Sequence, residues 1–316
     1  MRILFFGTPD FAVSSLRALH EAGHEVACVV TRPDRPRGRG RRPAPSAVKK
    51  AALELDLDLY QPETVNSPEA LERFRREEPE LGVIVAYGEI LRLELLEVPE
   101  RGFINLHASL LPRYRGAAPI NWALIRGEKH TGVTIQRLAP RMDAGPILAQ
   151  REVKIGPEET AGQLHDRLAE IGAAELAALL HRLEAGKEVP ERPQDPEEVT
   201  YAPKLNKEHG RVDWTLPAEE IRHRVRGVTP WPGATTHFCG QHRCEEVTLT
   251  RVGTCPGVEG DEPPGTVLEI TGEERLIVRA GRGAVVVQRL KPAGSREMDA
   301  ADFVHGHRVE RGDKFE

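Results

Sequence analysis

No run of eighteen apolar residues occurs in the 316-residue chain, so no segment is long enough to cross a bilayer as a single helix. The opening Met1-Arg2-Ile3-Leu4-Phe5-Phe6-Gly7 lacks the length and cleavage pattern of a secretory signal, and a cytoplasmic protein is expected. Cysteine is scarce. Cys28, Cys239, Cys244 and Cys255 make neither a disulfide framework nor a zinc motif, so free thiols and no metal are expected. Positive charge is not in excess: with a formal net charge of −5, nucleic acid would have to be held by a local basic patch. Internal repeats and low-complexity tracts are also missing.

What is present suits a globular protein of one large or two ordinary domains, with 39% hydrophobic residues to build the core. Residues 1–33 read as strand, turn, helix, strand, and a βαβ start of this kind implies an α/β protein with a doubly wound parallel sheet. The turn, Gly7-Thr8-Pro9-Asp10, is not Gly-x-Gly-x-x-Gly. A dinucleotide oxidoreductase is thereby disfavoured. Residues 46–55 and 67–76 read as amphipathic helices, and Leu81-Gly82-Val83-Ile84-Val85-Ala86 as a strand buried on both faces. Tyr87-Gly88-Glu89-Ile90-Leu91 follows at its carboxyl end, where open α/β sheets bind ligands.

Between the second strand and the first of these helices lies Arg32-Pro33-Asp34-Arg35-Pro36-Arg37-Gly38-Arg39-Gly40-Arg41-Arg42-Pro43. It is too rich in Pro and Gly for helix or strand and too charged for core, so an exposed, flexible loop is expected. Arginine forks suit phosphates.

The centre of the chain is Phe103-Ile104-Asn105-Leu106-His107-Ala108-Ser109-Leu110-Leu111-Pro112, an apolar strand-like run that carries an amide and an imidazole two residues apart. Residues i and i+2 of a strand share a face, so Asn105 and His107 project together. An amide that donates to a developing oxyanion, beside an imidazole that moves protons, suits acyl transfer. Asp143, in the Pro/Gly-punctuated Ala139-Pro140-Arg141-Met142-Asp143-Ala144-Gly145-Pro146, is the third candidate. Its carboxylate can orient or charge the imidazole, or take a proton from an amine through water.

Further on, residues 117–126 read as helix, 131–138 as strand with 147–155 as its hairpin partner, and 160–186 as a long amphipathic helix behind a capping box. These close a first domain at 1–189. Residues 190–205, with Pro190, Pro193, Pro196 and Pro203, are taken as a linker. In 206–316, after one helix, short alternating strands at 234–238, 246–252, 265–270, 276–280 and 284–290 suggest a small β-barrel.

The string from His107 to Ile120, His107-Ala108-Ser109-Leu110-Leu111-Pro112-Arg113-Tyr114-Arg115-Gly116-Ala117-Ala118-Pro119-Ile120, with Gly132-Val133-Thr134 and Met142-Asp143-Ala144-Gly145, resembles the folate-dependent formyltransferases over a long ungapped stretch. Ala108 stands where the family has Gly, a change between two small residues. Trp231-Pro232-Gly233 and Lys291-Pro292-Ala293-Gly294 match the family's OB-like C-terminal barrel, so the resemblance covers essentially the whole chain. It implies a Rossmann-like catalytic domain with Asn105, His107 and Asp143 as catalytic residues, and a folate site lined by Ser109, Leu110, Leu111, Pro112, Tyr87, Gly88, Ile90 and Leu91. It also implies 10-formyltetrahydrofolate as formyl donor and no metal, because a formyl carbon is already electrophilic.

In the branch of the family that acts on tRNA, an insertion at the place of the arginine-rich segment engages the acceptor end. By that likeness Arg35, Arg37, Arg39, Arg41 and Arg42 contact tRNA, the acceptor is the α-amino group of methionyl initiator tRNA, and the enzyme is expected to be a monomer. Arg222, Arg224, Arg226, Arg289, Lys291 and Arg296 are candidates for a second basic surface. Within the family, a glycinamide ribonucleotide acceptor needs neither the arginine loop nor the second domain. Amino-sugar formyltransferases and formyltetrahydrofolate hydrolases usually carry another large domain. Outside it, a non-catalytic RNA-binding barrel would leave Asn105, His107 and Asp143 without a purpose.

Overall fold

The computed structural model describes all residues except 38–41, 242, 259 and 271–275, and at 36, 37, 42, 43 and 270 it describes backbone alone. Contacts divide the chain into two compact units. The first contains Met1–Gly116, His130–Val153 and His165–Ala202; the second contains Ala117–Lys129, Lys154–Leu164 and Pro203–Glu316. This division is not the simple cut at 189 and 206 expected from composition. Most of the supposed linker belongs to the first unit, because Arg192 bridges Ile147 and Tyr201–Ala202 pairs in parallel with Arg115–Gly116. The helix Pro119–Ile125 goes with the second unit, where the Asn121 amide donates to the Gly227 carbonyl at 2.8 Å.

The first unit is built on seven strands: β1 (Arg2–Gly7), β2 (Glu25–Val30), β3 (Leu59–Tyr60), β4 (Leu81–Val85), β5 (Phe103–His107), β6 (His130–Arg137) and β7 (Ile147–Lys154), in the order β7-β6-β5-β4-β1-β2-β3. Strands β5, β4, β1, β2 and β3 are mutually parallel and β6 runs antiparallel to β5. Every residue of β4 and β5 is buried, as expected of central strands; β4 is an unbroken apolar run, whereas β5 buries Asn105 and His107 among its apolar residues. Phe6 fixes one side of the sheet through edge-on contacts with Phe74, Tyr87 and Phe103 at 5.4–5.5 Å between ring centres. Strand order reverses at β1, so the carboxyl ends of β1, β4 and β5 border the crevice in which such sheets bind ligands.

The arginine-rich segment departs from the loop expected of it. Arg35–Arg37 and Arg42–Ala44 pair antiparallel as a two-stranded ribbon, with Pro36 opposite Pro43. Proline is tolerated because both strands of a lone ribbon are edge strands. The Ala47–Glu54 helix follows directly, its N-terminus capped by the Ser46 hydroxyl on the Lys49 N–H.

In the second unit β8 (Ala234–Cys239), β9 (Cys244–Cys255), β10 (Val267–Ile270), β11 (Leu276–Arg279), β12 (Ala284–Pro292), β13 (Met298–Asp299) and β14 (Lys314–Phe315) form one antiparallel sheet. Its path is β10-β11-β12-β9-β8-β14, with β13 beside β12, and a bridge between Thr266 and Lys314 nearly closes it into a barrel. Phe238, Phe303, Phe315 and Trp214 fill the interior with the alternating inward residues of the strands. The expectation of four free thiols is corrected here. Cys239 and Cys244 end two paired strands and lie opposite each other in register, and they are disulfide-bonded; Cys28 and Cys255 are free.

Candidate active site

Asn105 and His107 stand at the end of β5, facing the same way as their alternation requires, and are 9% and 7% exposed. The His107 Nε2 lies 3.0 Å from the Tyr114 carbonyl oxygen, an acceptor, so this nitrogen carries a proton. The other ring nitrogen, Nδ1, is 3.8 Å from Asp143 Oδ1. That separation is longer than a hydrogen bond, so the carboxylate faces the ring edge without being bonded to it. Asp143 is fixed in turn: its Oδ2 accepts from the Gly116 N–H at 2.8 Å and its Oδ1 from the Gln136 amide at 3.3 Å. Its backbone is left-handed at φ +50°. Among the described residues the Asn105 amide has no protein hydrogen-bond partner. A nearly buried amide left unspent beside an imidazole and a carboxylate is what a ligand oxygen would complete.

The expected folate residues divide. Ser109, Leu111 and Pro112 are buried, and their segment is pinned by Thr134, whose hydroxyl donates to the Ser109 carbonyl at 2.6 Å and accepts from the Leu111 N–H at 3.1 Å. Gln150 adds a bond to the Leu111 carbonyl at 3.0 Å, and the Ser109 hydroxyl closes the turn on the Arg113 carbonyl at 2.6 Å. Leu110 is half-buried. Tyr87 and Leu91 belong to the core cluster behind the sheet, Gly88 turns the chain at φ +90°, and Ile90 is 80% exposed. Burial pushes the Tyr87 hydroxyl up to about 12, so it stays neutral at physiological pH. Among the described residues no group of three or more His, Cys, Asp or Glu is placed to hold a metal ion.

Of the arginines assigned to tRNA, Arg35 is exposed and 3.8 Å from the Glu63 carboxylate. Arg37 and Arg42 lie in the ribbon, described by backbone alone, and Arg39 and Arg41 fall outside the described residues. In the second unit Arg226 is buried and donates to the Glu159 and Gly156 carbonyls, Arg222 to the Pro157 carbonyl, and Arg224 to the His209 carbonyl. Arg289 is ion-paired with Glu297 and Asp299. Lys291 and Arg296 are exposed.

Sequence reasoning missed the second layer: Thr134, Gln136, Gln150 and Gln194. Thr134 and Gln136 had a signal, two polar residues on one face that alternate with the apolar Val133 and Ile135 along the strand. Gln194 had none. Its side chain meets Gln136 and the carbonyls of Asp143 and Gly145 from inside the supposed linker.

Comparison with known proteins gives this site a family. The formyl transferase model matches residues 1–180, and the model of the formyl transferase C-terminal domain matches residues 204–308. The chain belongs to the formyl transferase family. Relatives alike over their whole length are the methionyl-tRNA formyltransferases of Geobacter sulfurreducens, 46% identical over 100% of this chain and 96% of that one, and of Caldanaerobacter subterraneus subsp. tengcongensis, 45% identical over 99% of each. Among solved formyl transferase structures, the sugar 3N-formyl transferase WlaRD, in the presence of dTDP and 5-N-formyl-THF, superposes with a TM-score of 0.68 at 17% identity over 94% of this chain and 99% of that one. HypX from Aquifex aeolicus, in complex with tetrahydrofolic acid, superposes at 0.61 and 21% identity over all of this chain, which spans 50% of HypX. Both show the fold.

Proposed function

We infer that this protein transfers the formyl group of 10-formyltetrahydrofolate to the α-amino group of methionyl initiator tRNA, giving N-formylmethionyl-tRNA for the start of translation. The observation that carries the reading is full-length likeness, at 45–46% identity, to methionyl-tRNA formyltransferases, spanning both units. The folate is a substrate consumed at each turnover, and Ser109, Leu110, Leu111, Pro112, Tyr87, Gly88, Ile90 and Leu91 are the residues assigned to it. The unspent Asn105 amide fits such a donor, because it offers N–H to a formyl oxygen.

The neutral amine attacks the formyl carbon and charge gathers on the formyl oxygen; collapse of this adduct breaks the bond from the formyl carbon to N10, and N10 leaves as the tetrahydrofolate amine with a proton in place of the one the attacking amine gives up. Asn105 and a protonated His107 donate to that oxygen, where fixed donors in a water-poor site stabilise charge far more than water does. Asp143, held by Gly116 and Gln136, orients the imidazole and relays the amine proton through water. The rest of the rate comes from positioning two substrates. Residues 1–189 carry catalysis and folate binding; residues 206–316 and the arginines at 35, 37, 39, 41 and 42 engage the tRNA. The protein acts as a cytoplasmic monomer.

The test is formyl transfer by wild type and by Asn105→Ala, His107→Ala and Asp143→Ala, with charged initiator tRNA, glycinamide ribonucleotide or no acceptor. Activity on the tRNA that falls about 10²–10³-fold in Asn105→Ala and about 10²–10⁴-fold in His107→Ala, with folding and tRNA binding retained, supports the reading. Wild-type activity confined to the nucleotide, or hydrolysis of the folate alone, overturns the acceptor and leaves the family standing.

A further inference from the structure

We propose that Gln194 is a positioning residue for formyl transfer, the part that holds Asp143 in its left-handed conformation and so sets the carboxylate against His107. The inference rests on the function proposed above. Its observation is the saturation of one amide. The Gln194 Nε2 lies 2.9 Å from the Asp143 carbonyl, 2.7 Å from the Gly145 carbonyl and 2.9 Å from Gln136 Oε1. Its Oε1 accepts from Arg115 Nη2 at 2.6 Å and Nε at 3.2 Å. Two amide hydrogens shared among three acceptors, with a guanidinium fork on the oxygen, leave the group one orientation.

Each contact bears on Asp143. The two carbonyls flank the turn in which Asp143 sits at φ +50°, a conformation that a non-glycine residue keeps only when its surroundings over-determine it. Gln136 bonds Gln194 with its amide oxygen and so turns its own nitrogen to Asp143 Oδ1. Arg115 precedes Gly116, whose N–H binds Asp143 Oδ2. Gln194 therefore controls the backbone of Asp143 directly and both carboxylate partners at one remove. Its own place is secured on either side, by the two backbone bonds of Arg192 with Ile147 and by Thr200, which bonds Tyr114 and Arg115. A glutamate of the same shape would set a carboxylate against three oxygens; a methionine would keep the length and lose every donor.

The test is steady-state formylation of initiator tRNA by Gln194→Met, Gln194→Asn, Asp143→Ala and the Gln194→Met/Asp143→Ala pair, beside wild type. Gln194→Met should lower kcat about 10–100-fold with KM for both substrates within about two-fold, because it displaces a group that acts in the reacting complex. Gln194→Asn, which keeps the amide one carbon short, should recover part of that loss. The double variant should be no slower than Asp143→Ala, since residues acting as one unit are non-additive. Additive losses, an effect confined to KM, or wild-type kcat in Gln194→Met would overturn the proposal. If Gln194→Met fails to fold, Gln194→Asn against Asp143→Ala supplies the same cycle. Absence of tRNA formylation by the wild type condemns the function and is seen before any variant is compared.

Discussion

Asn105 and Gly145 carry opposite consequences for the same few ångströms of structure. The Asn105 amide is nearly buried and has no protein partner among the described residues, so the fold gains little from it. Asn105→Ala should stay within about 1 kcal/mol of wild type in thermal or denaturant unfolding while losing formyl transfer, because among the described residues its side chain makes no hydrogen bond to be broken. A parallel loss of stability and activity would mean the amide has an internal structural use. Gly145 is the reverse. A Cβ there would lie 1.9 Å from the Arg137 carbonyl oxygen, a backbone atom that cannot step aside. Gly145→Ala should cost about 1–3 kcal/mol of stability by overpacking, measured by denaturant unfolding, and should lower kcat by moving the Asp143 turn. At this scale the sequence was legible where chemistry is local: Asn105 and His107 two apart on a strand, and a carboxylate in a Pro/Gly-rich turn. Gln194 was not, since it meets the Asp143 and Gly145 carbonyls 51 and 49 residues away in sequence and nothing near it in the chain announces the meeting.

The Ala218–Val228 helix shows how an element can present cations and spend them on itself. Read from sequence, Arg222, Arg224 and Arg226 are as available to phosphate as Lys291 and Arg296. In the fold, Arg226 is buried and its guanidinium holds the Glu159 and Gly156 carbonyls at 3.0 and 2.8 Å, tying down the turn ahead of the long Ala161–Glu184 helix. Arg226→Met should therefore cost about 1–3 kcal/mol in unfolding, the penalty for buried acceptors left bare, with tRNA affinity unchanged. Lys291→Ala and Arg296→Ala, both exposed, should leave stability within about 0.5 kcal/mol and weaken tRNA binding, each lowering the salt dependence of the affinity by about one unit of slope. Filter binding across a salt series separates the two classes; a weakened tRNA complex in a stably folded Arg226→Met would merge them. Elements with their own pattern were readable: the buried run of β4 and the alternating strands of the barrel fell close to their expected positions. The arginine ribbon and the Cys239–Cys244 bond were not, because each depends on which residue of a partner strand stands opposite.

Across the whole molecule, acid is the condition that should find the weak points of both units. His24 in the first unit and His223 in the second have their pKa values lowered, with burial the leading cause in each, because neither site solvates an imidazolium. Unfolded, each takes up its proton near 6.5, so between that value and its lower folded value the unfolded chain binds more protons than the native one. Stability must then fall as pH drops through 6.5 and is fully present above it. The carboxyls of Asp213 and Glu184 are held below their usual values by hydrogen bonds, to Asp213 from Thr215 and to Glu184 from the chain's terminal amine. Their contribution is present above the unfolded values of 3.8 and 4.5 and is lost on further acidification. Histidine and carboxylate effects thus share a sign and act in sequence, the histidines first. Melting temperature should fall between about pH 7.5 and 5.5, and a His24→Gln/His223→Gln double variant, which has no buried imidazole to charge at these sites, should fall less over that interval. A variant with the wild-type slope would place the acid sensitivity in other groups; a flatter slope would locate it in these two rings, one in each unit.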